Sequence, residues 1–247
     1  MSKLSQKIRA AGRAEPAPLG FASAAARAPQ DSLLCGVRLQ DPAKAAGAAS
    51  RGADFVILED VARSKVKGIS KIEASVGVAG DFDADDLEAL VKAGVDFVVL
   101  AGPGAGAAPL ADESVGRVIA LDGDLDDTHL RLLGDLGLDA IVIAAPKAPL
   151  TVERLLSVRR LSALARTPLL ANATAEIDEK SLELLRDSGV AGIVLEDAGK
   201  LAALKKRIAA LPARGRRKEN HTDALIPAQA TAGHDHGEDD DFDDFDD

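Results

Sequence analysis

Four side chains carry most of the chemistry this sequence offers: Arg38, Glu59, Asp122 and Glu196. Glu59 and Glu196 each sit in a Leu-Glu-Asp triplet, 58–60 and 195–197, that ends a short apolar run. Paired carboxylates supply hard oxygen donors for a divalent cation. Glu59 and Glu196, or their neighbours Asp60 and Asp197, are therefore the candidate Mg²⁺ ligands. Arg38, in "GVRLQ", presents a planar fork that matches a carboxylate through parallel hydrogen bonds, which makes it the candidate substrate anchor. Asp122, in "IALDG", is the candidate general base. The same residues have a second reading, an ion-pair network in which Arg38 neutralises acids that would otherwise repel one another. Either reading requires positions far apart in the chain to meet.

A repeated phrase supplies the frame. "RGADFVILED" (51–60), "AGVDFVVLAG" (93–102), "LGLDAIVIAA" (136–145) and "SGVAGIVLED" (188–197) place Gly52, Gly94, Gly137 and Gly189 at the same point. A helical pattern precedes each glycine, which can stop a helix by adopting a left-handed conformation. Before Gly94, Asp83 reads as the N-cap and Leu87, Leu90 and Val91 as the apolar stripe. After each glycine comes a branched apolar run that reads as a strand buried on both faces. Four further strands, at 33–39, 71–80, 117–123 and 168–175, fall between the copies.

Alternating strands and helices imply a parallel sheet with right-handed crossovers. Eight strand–helix units in about 200 residues predict an α/β fold, a closed (β/α)8 TIM barrel. The alternative is an open doubly wound sheet, whose Gly-x-Gly-x-x-Gly signature after the first strand is missing. In the ring, strands two and eight flank strand one and bring both Leu-Glu-Asp endings beside Arg38. The second and fourth helical connections are short. The apolar strand faces this exposes call for cover by the N-terminal arm or by a second subunit, which implies a homo-oligomer. The expected organisation is a basic N-terminal arm over 1–31 with a short helix at 3–11, a barrel over 32–212, and a disordered acidic C-terminal tail over 213–247.

Composition narrows the function classes. The net charge is −10, there is no Trp or Tyr, and two of the six Phe, Phe242 and Phe245, lie in the tail. Stacking platforms are hard to build from this set and a phosphate backbone would be repelled, so nucleic acid is not an expected partner. No apolar run is long enough to span a membrane. A single cysteine, Cys35, rules out an internal disulfide, and a cytoplasmic location is the default expectation. The tail, with Phe242 and Phe245 spaced within acid, could serve as a linear motif for a protein partner. His234 and His236 there read as part of a solvated charge run. His129 is the only histidine before residue 221 and falls near a helix start, so the barrel has neither a His triad nor a His-rich zinc site.

"PLLANATAEI" (168–177) and "SGVAGIVLEDA" (188–198) resemble the seventh and eighth strands of the phosphate-binding TIM barrels of the ribulose-phosphate and thiamine-phosphate-synthase kind. Those read P-V-I-A-x-G-G-I and G-A-D-G-V-I-V-G-S-A at these strands. Here Asn172–Ala173–Thr174 replaces the Gly-Gly pair, and Glu196–Asp197 replaces Gly-Ser. Two carboxylates would repel a phosphate by about 1 kcal/mol per charge pair even when solvated, so the phosphate site is not retained. Lys147 follows strand six, where class I aldolases carry an imine-forming lysine, but it lies past the strand between prolines and reads as a solvated loop residue. "GPGAGA" (102–107) lacks the Lys and Ser/Thr of a P-loop and reads as a plain loop. The resemblance implies a lyase or isomerase, here for a small carboxylate-bearing substrate with metal assistance. The alternative is a non-catalytic barrel that binds or assembles through its charged tails.

Overall fold

Four glycines with left-handed backbones punctuate the chain: φ is +97° at Gly52, +90° at Gly94, +66° at Gly137 and +106° at Gly189. The computed structural model describes residues 2–12, 32–61, 66, 69–144, 149–174 and 176–212. The stop is clearest at Gly94. Helix α3 (Ala84–Ala93) opens with a reciprocal capping box between Asp83 and Asp86, buries Leu87 and Leu90, and ends on this glycine. A β-carbon at Gly94 would lie 2.8 Å from Ser70 Cα, so no other residue fits the turn.

The elements follow in the expected alternation. α1 (Lys3–Gly12) precedes β1 (Leu34–Leu39), α2 (Ala45–Ser50), β2 (Phe55–Leu58) and β3 (Ser75–Gly80). After α3 come β4 (Phe97–Leu100), α4 (Ala108–Ala111), β5 (Gly116–Leu121) and α5 (Asp127–Gly134). β6 (Ala140–Ile143), α6 (Val152–Ala165), β7 (Leu169–Asn172), α7 (Glu179–Asp187), β8 (Val190–Leu195) and α8 (Leu201–Ala209) complete the set. All strands pair in parallel in sequence order, and β8 closes on β1 through Leu34–Gly192 to Val37–Leu195. This is a closed (β/α)8 barrel. The second connection contains no α-helix among its described residues and the fourth only the single turn of α4. Buried Val66 and Ile69 cover the strands where a second helix would lie.

Large and small side chains interlock inside the ring. The rings of Phe55 and Phe97 fill the space that β-carbons at Gly36 and Gly77 would need, and they meet edge to face with centroids 6.4 Å apart. In the second half the matching positions are Ala140 and Gly192, and Leu170 fills the volume there. Complementary sizes allow the interior to reach close-packed density.

The repeat also carries an aspartate before three of its strands, and the structure gives each a task. Asp54 accepts the Cys35 N–H at 2.8 Å, Asp96 accepts the Ser75 hydroxyl, and Asp139 accepts the Arg117 N–H at 3.2 Å. Each ties an even strand to the odd strand before it. Asp96 and Asp139 also receive α1. The Lys3 and Leu4 N–H groups donate to Asp96 at 2.7 and 2.9 Å, and the Ser2 hydroxyl donates to Asp139 at 3.0 Å. Carboxylates thereby satisfy the unpaired N–H groups of the helix start. Leu4 and Ile8, one turn apart and buried, pack into the cluster that fills the barrel. Helix α1 therefore seals the N-terminal opening of the ring; it does not cover the bare outer strand faces as expected. The rest of the arm (13–31) and the acidic tail lie outside the described residues.

Candidate functional site at the barrel mouth

Alternation along each strand decides what reaches the mouth. On β1, Leu34 and Gly36 face the interior and Arg38 follows in the same phase. On β2, Phe55 and Ile57 lead to Glu59; on β8, Val194 leads to Glu196; on β7, Leu170 leads to Asn172. Both Leu-Glu-Asp endings thus turn the glutamate to the mouth. Asp60 takes a left-handed backbone at φ +51° and is exposed, while Asp197 accepts the Gly199 N–H at 2.7 Å and caps the last helical segment.

Arg38, Glu59 and Glu196 line one cavity of about 550 Å³, together with Gln40, Asp41 and Lys44. Arg38 is half-buried. Its Nη1 donates to Glu59 and its Nη2 to Asn172 Oδ1 at 3.1 Å, so two partners fix the guanidinium plane. Three of its five N–H groups are left by these bonds. Glu196 stands on the other flank of β1 and makes no ion pair among the described residues. The structure thus brings Arg38, Glu59 and Glu196 to one cavity, with Arg38 paired to Glu59. Asp122 is elsewhere: it is exposed at the end of β5 and lines a separate cavity with Asp124 and Arg154.

Residues outside the candidate set also reach the site, Asn172 and Lys44 among them. Asn172 was legible as a strand-end residue, and its parity with Leu170 was the signal that it points inward. Lys44 lies in the short 3-10 turn Pro42–Lys44 capped by Asp41, and nothing in its local pattern marks it.

The donor set fits a cation poorly. A guanidinium already engages Glu59, where Mg²⁺ would have to sit. No three His, Cys, Asp or Glu side chains gather to hold a metal ion among the described residues. At the corner between β7 and β8, Lys200 pairs with Glu176 at 3.1 Å and, through that hydrogen bond, holds the Glu176 carboxyl below its ordinary range. The Asp197 carboxylate occupies the Gly199 N–H, so the anion at this corner is the chain's own. His129 sits at the surface beside the α5 N-cap, 2.6 Å from Asp126. The loop at 102–107 donates its Gly106 N–H to Asp81 at 2.7 Å, and Lys147 lies outside the described residues.

No family model and no curated protein matches this sequence. Solved structures do. The 3-keto-L-gulonate-6-phosphate decarboxylase of Vibrio cholerae aligns over 73% of this chain and 99% of its own, with TM-score 0.57 and 16% identity. A ligand-free tryptophan synthase of M. tuberculosis aligns over 84% and 96%, with TM-score 0.57 and 14% identity. N-(5'-phosphoribosyl)anthranilate isomerase of Pyrococcus furiosus aligns over 72% and 100%, with TM-score 0.51 and 10% identity. The shared property is the barrel. At such identities, function has to be argued from the side chains at the mouth. No described helix is long and apolar enough to cross a membrane.

Proposed function

We propose that the mouth cavity is the active site of a lyase or isomerase acting on a small, carboxylate-bearing, non-phosphorylated substrate. The observation that carries this reading is Arg38, held in a fixed plane by Glu59 and Asn172 at the rim of a cavity that Glu196 also lines. The free N–H groups of Arg38 hold the substrate carboxylate. Glu59, paired with the guanidinium, takes a proton from the adjacent carbon, and the carboxylic-acid form of Glu196 across the cavity delivers one; exchange with water then resets both carboxyls. Asp122 lines another cavity and has no part in this transfer. Structural neighbours named as a decarboxylase and an isomerase agree with such chemistry by analogy of fold.

The test needs no knowledge of the product. Small 2-hydroxy, 2-oxo and dicarboxylic acids are incubated with the protein in D2O, and loss of the carbon-bound proton signal next to the carboxylate or the oxo group, over a protein-free control, is followed by NMR. Exchange with at least one acid is expected, falling by about 10²-fold or more in Glu59→Gln. Absence of exchange across the panel, or equal rates in wild type, Glu59→Gln and Arg38→Met, would overturn the proposal.

One observation favours a second reading, a binding or assembly module. Val152 and Leu156, one turn apart on α6, are 74% and 62% exposed, an apolar surface suited to a second copy of the chain. A sedimenting monomer at every concentration would remove that reading. The version that works through the charged C-terminal tail rests on residues 213–247, outside the described residues.

A further inference from the structure

A second cavity, of about 280 Å³, opens between the ends of β5 and β6 and the helices α5 and α6. Its floor is apolar, built from Leu130, Ile143, Val158 and Leu161. Its lining also carries both charge signs: Asp122 and Asp124 just after β5, Arg154 and Arg160 on α6. These opposite charges form no ion pair with one another. Arg154 donates one N–H to the Ala144 carbonyl at 3.1 Å, which orients the guanidinium and leaves the remaining donors. No hydrogen bond or ion pair engages Asp122 or Asp124 among the described residues. Arg160, also on the wall, is held by Asp127 and the Leu125 carbonyl and serves to join α6 to α5.

Unpaired charges of opposite sign above an apolar floor match a ligand that carries both charges and a short hydrocarbon. We infer that this cavity binds a zwitterionic apolar α-amino acid. Its carboxylate meets Arg154, its ammonium meets Asp122 or Asp124, and its side chain lies on Ile143 and Val158. The volume supports a small ligand, since it lies just under the roughly 300–1,000 Å³ of drug-sized pockets. Among the described residues, the polar mouth cavity around Arg38 has Leu39 as its one apolar lining residue and offers no such floor. The proposal is independent of the reaction assigned to the mouth.

L-leucine is the probe, titrated by calorimetry into the full chain. 4-Methylpentanoate, which lacks the ammonium, and isoamylamine, which lacks the carboxylate, form the comparison. Leucine should bind about tenfold or more tightly than either analogue, because each lacks one charge-assisted contact. Arg154→Met and the double variant Asp122→Asn/Asp124→Asn should each weaken leucine by about tenfold, and Ser157→Met, which pushes a longer side chain into the cavity from α6, should abolish binding. Arg38→Met should leave leucine affinity unchanged. Circular dichroism checks that each variant is folded, and if Arg154→Met is not, the Ser157 and Asp122/Asp124 variants decide. The proposal is overturned by no binding at up to about 10 mM, by analogues that bind as well as leucine, by affinity indifferent to Ser157→Met, or by loss on Arg38→Met.

Discussion

Replacing Gly36 by alanine tests the interlocked interior that carries Arg38. A β-carbon there would lie 2.8 Å from Phe55 Cδ2 and nearer still to the ring's outer edge. Carbon atoms rest at about 3.5–4.0 Å, so the ring would have to retreat by well over 1 Å. It has nowhere to go: Phe55 is fully buried and its ring packs against Phe97. Overpacking of a closed core costs about 1–3 kcal/mol, and this site, with an immobile aromatic neighbour, belongs at the upper end. At about 2–4 °C per kcal/mol for a chain of this size, the melting temperature should fall by roughly 6–12 °C. With no Trp or Tyr in the chain, far-UV circular dichroism in urea is the natural assay. Phe55→Leu alone should cost about 1–2 kcal/mol through the cavity it leaves. Combined with Gly36→Ala it should relieve the clash, so the double variant should be more stable than additivity predicts by about 1 kcal/mol or more. A double variant at the simple sum, or a Gly36→Ala cost under about 0.5 kcal/mol, would refute the size-matching argument.

Three other expectations follow from the same contacts. Leu4→Ala should destabilise the protein by about 2–4 kcal/mol in urea, because Leu4 is wholly buried in the interior cluster; a cost near zero would mean α1 is not a structural plug. Burial lowers the pKa of Lys7, whose ammonium donates to the Asp54 carbonyl at the base of the ring. The folded state thus holds this proton less tightly than the unfolded chain, so charged Lys7 opposes folding at neutral pH and the penalty fades as pH rises from the lowered value toward 10.5. Lys7→Met should flatten that rise in alkaline melting curves, and an unchanged slope would count against it. The Ser181 N–H holds the Asp178 carboxyl below its ordinary 3.8 at the start of α7. A depressed carboxylate stabilises the fold above about pH 4 and loses that contribution as pH falls through the lowered value. Asp178→Ala should therefore melt earlier than wild type at pH 7 and converge with it in acid.

Much of the mouth was legible because its ingredients are local. Strand endings, helix stops and the order of units give a closed ring, and ring closure alone sets Glu59 and Glu196 on either side of Arg38. Asn172 was harder. It reaches Arg38 across 134 positions, and only the pleat of β7 beside β8 sets the face it takes. Asp122 shows the limit of the same reasoning: it follows Val118 and Ala120 in phase, yet lines a cavity at the ring's edge between α5 and α6.

The sequence by itself determined the elements, the parallel order and the closed ring. Helix caps, glycine stops and apolar periods act within about a dozen residues, and the four copies of one phrase repeat them. Tertiary structure alone decided that α1 plugs the base, that the repeated aspartates bind strand to strand, and that Arg38 takes Glu59 and Asn172 as partners. Those contacts join groups on different elements of the chain. Their geometry depends on register around the whole ring, which exists only once every strand has paired.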